Sequence, residues 1–126
     1  MLFRSVPIAD DGSAGAVTRL EAPRAFRNVD AIRAWKPGRL VLFESDAFGS
    51  GPYGGQVTLA RIEGGRLALR PLVAGLDAPS SGLVAGGRVW FVESKYGLLT
   101  HRQPADGPVP TGVPFDLQSV ALPDDF

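Results

Sequence analysis

One eight-residue string occurs twice in this chain, and it restricts the possible folds more than any other feature. Gly38-Arg-Leu-Val-Leu-Phe-Glu-Ser45 aligns without a gap with Gly87-Arg-Val-Trp-Phe-Val-Glu-Ser94, 49 residues later; four positions are identical and the other four are apolar in both. A period of about 40 to 50 residues is the size of one four-stranded blade, a unit that buries its apolar faces only by stacking on its neighbours.

The rest of the sequence reads as short strands separated by turns. Apolar runs rich in Val, Leu, Ile and Phe are punctuated at Asp11-Gly12, Pro37-Gly38, Gly64-Gly65, Gly86-Gly87 and Pro114, the pattern of many short strands joined tightly. Residues 40–43 and 89–92 are continuously apolar, as strands buried on both faces must be. Residues 56–62, 66–72 and 115–122 alternate in part, as strands nearer solvent do. The fold class predicted is all-β, with propeller-like blades of four antiparallel strands and about ten strands in a single domain. The segments predicted are an outer hairpin of an incomplete blade over 1–28, a first full blade over 29–79 and a second over 80–126. One stretch is ambiguous: Phe26, Val29, Ile32 and Trp35 also recur at the spacing of a short amphipathic helix, whereas the repeat places a loop and an innermost strand there.

Composition narrows the function. The 126 residues carry 13 basic and 13 acidic side chains, so bulk charge draws the chain to neither nucleic acid nor an anionic membrane. There is no cysteine and one histidine, His101, which excludes thiolate chemistry and multi-histidine metal cages. No apolar run reaches the length of a membrane span, and the first residues lack a basic leader followed by a long apolar segment. The chain as written reads as cytoplasmic; as a piece of a longer precursor it would be periplasmic or secreted.

Several short strings together are familiar: Leu2-Phe-Arg-Ser-Val-Pro-Ile-Ala-Asp-Asp-Gly-Ser-Ala-Gly15, Asn28-Val-Asp-Ala-Ile32, Gly75-Leu-Asp-Ala-Pro-Ser80, Val89-Trp-Phe-Val-Glu-Ser94 and Val120-Ala-Leu-Pro123. The set resembles the C-terminal two and a half blades of a six-bladed propeller of the SMP-30/gluconolactonase and NHL-like superfamily. That family includes calcium- or zinc-dependent lactonases and other hydrolases alongside propellers with no known reaction, so the resemblance speaks to fold more than to activity. In its lactonases an aspartate at the head of an inner strand, between Pro and Gly, is a metal ligand. Asp30 matches that place, with Val29 and Ala31 as its neighbours. The resemblance thus implies a divalent cation, calcium or zinc, that polarises a lactone or ester carbonyl.

The propeller scheme gathers further residues on one rim. Asp30 and Ser81 begin inner strands there, while Glu44-Ser-Asp46 and Glu93-Ser-Lys95 end the strands that return to it. The candidate catalytic groups are therefore Asp30, Glu44 and Glu93, with Asp30 as the metal ligand. Ser81, Asp46, Phe48, Tyr53 and Lys95 are rim residues for a small-molecule ligand or substrate. Glu44 and Glu93 have a second reading, in which each holds an inter-blade loop by accepting backbone hydrogen bonds. A non-catalytic scaffold that binds a ligand or protein partner through the same rim is the alternative function.

Gly49-Ser-Gly-Pro-Tyr-Gly54 matches G-x-G-x-x-G, but Pro52 and the strand that follows deny it the helix start a dinucleotide site requires; it reads as a rim loop. Leu98-Leu-Thr-His-Arg102 reads as an outer strand with His101 facing solvent. No G-x-S-x-G or H-E-x-x-H string occurs. An open arc of blades leaves an apolar face at each end, so other chains or missing blades are needed to close a ring, unless the chain folds instead as a compact β-sandwich.

Overall fold

The computed structural model describes residues 2–126. Its described residues form nine strands in three antiparallel sheets: β1 (Phe3–Ser5) with β2 (Thr18–Leu20), a meander of β3 (Val29–Lys36), β4 (Arg39–Glu44), β5 (Gly55–Glu63) and β6 (Arg66–Leu76), and a second meander of β7 (Pro79–Ala85), β8 (Arg88–Glu93) and β9 (Leu117–Ala121). The fold is all-β and blade-like. The ambiguous stretch before Pro37 is strand rather than helix.

The turns follow from their residues. Gly64-Gly65 and Gly86-Gly87 take positive φ at both central positions, as the two-residue hairpin turns whose twist matches the strands require. Pro37 and Gly38 make the β3–β4 turn, with only Gly38 in the left-handed region, because proline fixes φ near −65°.

The four-stranded sheet is the centre of the molecule, and β4 shows why. Its side chains alternate between two apolar layers: Val41 and Phe43 join Val57, Leu59, Val89 and Phe91 on one face, and Leu42 joins Phe3, Leu20, Val29, Ala60 and Leu67 on the other. Val41, Leu42 and Phe43 are fully buried. The continuous apolar run thus has its predicted cause, a neighbouring sheet on each side.

Two strand expectations need correction. Residues 98–102 are not an outer strand: Gly97–Thr100 is a single helical turn, α1, and β9 pairs directly with β8, so the last sheet has three strands and the total is nine rather than ten. The physical reason is the break at Gly97 together with the three prolines at 104, 108 and 110, which cannot donate to a ladder. Likewise 89–92 is buried on one face only: Val89 and Phe91 point into the core, whereas Val92 is exposed beside Leu83 and Leu117. Nothing in the described structure stacks on that side.

The tail returns to the central sheet. Phe126 packs against the larger apolar layer with its ring 5.2 Å from the Arg61 guanidinium and 5.1 Å from that of Arg70. Arg70 also grips Asp125 at 3.0 Å.

Candidate functional site

The top of each meander is closed by the same clamp. Glu44, at the end of β4, accepts the Arg27 backbone N–H at 2.8 Å, and Glu93, at the end of β8, accepts that of Asp77 at 2.6 Å. The N–H of Asp46 returns to the Arg27 carbonyl and that of Lys95 to the Asp77 carbonyl, while Ser45 and Ser94 donate their N–H groups to the carbonyls of Asn28 and Ala78. Asn28, Ala78, Asp46 and Lys95 all take left-handed backbone, with φ between 49° and 58°. The repeat seen in the side chains is therefore also a repeat of backbone conformation.

The two glutamates differ in what else they touch. Glu44 is fully buried, and its oxygens also accept from both terminal nitrogens of Arg24, from Thr58 Oγ1 and from Gln56 Nε2. Burial pushes its pKa up, but these donors and the Arg27 N–H together outweigh it and hold the carboxyl at about 2. Glu93 is half-buried, and its second oxygen accepts from Gln118 Nε2 at 2.7 Å.

Asp30 lies apart from both. It is exposed, not buried as a channel-facing carboxylate would be, and its Oδ1 accepts from Asn28 Nδ2 at 2.9 Å. The same amide nitrogen donates to Ser45 Oγ at 3.0 Å, so Asn28 ties Asp30 to the clamp. Asp30 sits in a bulge: Val29 pairs with Glu44 and Ala31 with Phe43, and Asp30 is left unpaired between them.

The residue that corresponds to Asp30 in the next sheet is Ser80, not Ser81. Pro79 pairs with Glu93 and Ser81 with Val92, which leaves Ser80 in the matching bulge. The sequence offset of 49 is correct for β4 and β8 but becomes 50 upstream, because Trp35 is an extra residue between the pairs Ala34–Leu40 and Lys36–Arg39. Ser81 instead accepts a bond from Arg33 at 3.3 Å.

Asp30 and Ser80 border a cleft of about 370 Å³ whose other walls include Asn28, Phe48, Ser94 and Tyr96. Phe48 is 77% and Tyr96 48% exposed, which leaves both rings free to cover a ligand. Glu44, Glu93, Ser81 and Tyr53 are not among its walls, so the structure brings together only Asp30 and Phe48 of the residues predicted for the site. Ser80 and Tyr96 were missed. Tyr96 stands 49 residues after Ala47, the seventh cleft residue, so the alignment carried two places further would have found it.

The rim loop after β4 is braced from below. Cβ atoms at Gly49 and Gly54 would collide with the Asp46 carboxylate, which explains the first and last glycines of the G-x-G-x-x-G string without any nucleotide. Lys95 lines the neighbouring trough rather than the cleft; its Nζ reaches the Pro114 carbonyl and stands 5.6 Å from the centre of the Phe115 ring. His101 is half-buried, not solvent-facing, with Nε2 2.9 Å from the Gly49 carbonyl and Nδ1 buried without a partner. Since a carbonyl only accepts, Nε2 carries the hydrogen.

Among the described residues, no three His, Asp or Glu side chains come together in a way that could hold a metal ion. Asp30 is the only carboxylate in the cleft. No known family model, curated protein or solved structure matches this chain. No helix among the described residues is long and apolar enough to cross a membrane.

Proposed function

We propose that this chain is an arc of a β-propeller of the SMP-30/gluconolactonase and NHL-like type, and that it binds a small organic molecule on its rim in the cleft between Asp30 and Ser80. The observation that carries this reading is the cleft itself, where two consecutive sheets present matching bulged residues beside two exposed aromatic rings. Concave sites with apolar walls and a few polar groups at element ends are the usual form of small-molecule sites.

Binding is favoured over metal-assisted hydrolysis by the fate of the carboxylates. A hard cation takes six or more oxygens, several from carboxylates, and here Glu44 and Glu93 spend theirs on the loop clamps. The apolar outer face of β7–β9, with Leu83, Trp90 and Leu117 around a shallow hollow, supports a further partner: additional blades, from this or another chain, stacked on that side.

The test is a fragment screen by ¹H–¹⁵N NMR on the full chain. Hits that move the amides of Asn28, Ser80 and Tyr96, and that are lost in Ser80→Trp, are expected. Fragments that cluster elsewhere, or that bind Ser80→Trp equally well, would overturn the reading.

A further inference from the structure

We infer that the ligand of this cleft is an organic cation with a short apolar tail, an inference that rests on the small-molecule reading above. Among the described residues, Asp30 is the only charged group on the cleft wall. Among the described residues it takes part in no ion pair, and its one hydrogen bond there, from Asn28, reaches Oδ1. A carboxylate without a cationic partner in a cleft lined by two exposed aromatic side chains is complementary to an ammonium group, which gains from the negative charge and from any ring face it meets.

A polyol is the neutral competitor, and the geometry is poorer for it. Ser94 already donates its hydroxyl hydrogen to the Ala78 carbonyl at 2.8 Å, and Asn28 divides one amide nitrogen between Asp30 and Ser45. The side-chain donors that remain are the Ser80 and Tyr96 hydroxyls, fewer than several hydroxyls would use, whereas an ammonium head needs only negative charge and ring surface.

The tail follows from the neighbouring trough. Ser94 and Tyr96 line both the cleft and a second hollow of about 250 Å³, whose walls include Leu99, Val109 and Phe115. These three apolar residues are exposed in the free chain. A chain attached to an ammonium held at Asp30 would pass Tyr96 and cover them, and burial of each methylene tightens binding up to about fourfold.

The experiment is an NMR titration of the full chain with choline and with 3,3-dimethylbutan-1-ol, its uncharged isostere with carbon in place of nitrogen. Choline is expected to move the Ser80 and Tyr96 amides and to bind about fivefold more tightly than the isostere. In Asp30→Asn, which keeps the bond from Asn28, that preference should shrink to the share the rings supply, about twofold or less, while the thermal unfolding midpoint stays the same. Hexyltrimethylammonium should bind about tenfold more tightly than tetramethylammonium, with the gain lost in Phe115→Ala. Equal binding of choline and the isostere to the unaltered chain would overturn the cation and leave the cleft standing. Fragment hits in the cleft with no response to either ammonium compound would do the same. Silence from ammonium compounds and fragments alike would overturn both, and an equal affinity for the hexyl and tetramethyl compounds would overturn the tail.

Discussion

Arg24 holds Glu44 through a two-pronged pair, Nη1 to Oε2 at 2.9 Å and Nη2 to Oε1 at 2.6 Å, and this places a fully buried carboxylate under an arginine that remains one-third exposed. The pair closes the loop before β3 onto the central sheet, because the same carboxylate also takes the Arg27 N–H.

Stability should therefore depend on acid in a particular window. The Glu44 pKa is depressed from 4.5 to about 2 in the folded chain. A depressed carboxylate contributes stability that is fully present above its unfolded pKa and is lost as the pH falls through the folded one. Urea unfolding from pH 5 down to pH 2 should accordingly lose about 3 kcal/mol through this group. Glu44→Gln should be less stable at pH 7 by about 2 to 3 kcal/mol and should show a flatter acid limb. Asp11 and Asp125 are also depressed, by the hydrogen bonds of Ser13 and Arg70. They persist in the variant, so the difference between the two acid limbs isolates Glu44.

Gly82 marks a close approach of two sheets. A Cβ there would stand 2.5 Å from the Phe43 ring and would also collide with the Trp90 carbonyl. Gly82→Ala should cost about 3 kcal/mol in chemical denaturation. Combining it with Phe43→Leu should recover part of that loss, since the ring is one of the two obstacles. Strict additivity of the two substitutions would show that β7 and β4 do not meet as described.

Much of this was legible in the sequence, and the failures have identifiable physical causes. The string around Glu44 marks β4 because a strand between stacked sheets must be apolar on both faces, whereas around Glu93 the same apolar run marks β8 although only Val89 and Phe91 are buried, and the glycine pairs mark hairpins because glycine takes two successive positive φ values cheaply. Trp35 hid the correspondence of Asp30 with Ser80, since a one-residue bulge shifts register without any compositional sign. The stretch 98–102 resembled an outer strand because its apolar residues suit either state; the prolines further on were the better guide. Asp30 was expected beside Glu44 and Glu93, but Glu44 is buried and bound by the loop clamp whereas Asp30 stands exposed in a bulge.

His101 should act on the rim loop rather than on the fold as a whole. Its Nε2 bond to the Gly49 carbonyl ties α1 to the loop that carries Phe48, and Arg27 makes a second tie at Gly54, at 3.2 Å. His101→Ala should speed amide hydrogen exchange over 47–54, while global unfolding changes by about 1 kcal/mol or less. Unchanged exchange in that loop would show that Arg27 and the Asp46 bracing suffice.

The C-terminal residues should matter more than a tail of their length suggests. Phe126 lies against the apolar layer between the guanidinium groups of Arg61 and Arg70, and the Asp125–Arg70 pair secures the residue before it. Cation–π contacts at partly exposed sites contribute about 0.5 to 1 kcal/mol each, and the buried part of the ring adds a hydrophobic share. Phe126→Ala should thus lower stability by about 2 kcal/mol. Phe126→Leu keeps some of the apolar contact but removes the ring face, so it should fall between the two. Asp125→Asn is the control for the ion pair, which is exposed to solvent and so should weaken with salt, whereas the Phe126→Ala loss should persist at high salt through its hydrophobic share. If Phe126→Ala and Phe126→Leu unfold together with the unaltered chain in urea, the tail does not pack on β5 and β6 in solution, and the last sheet is held against the central one without it, through β7, β8 and the side chains of Val120 and Leu122.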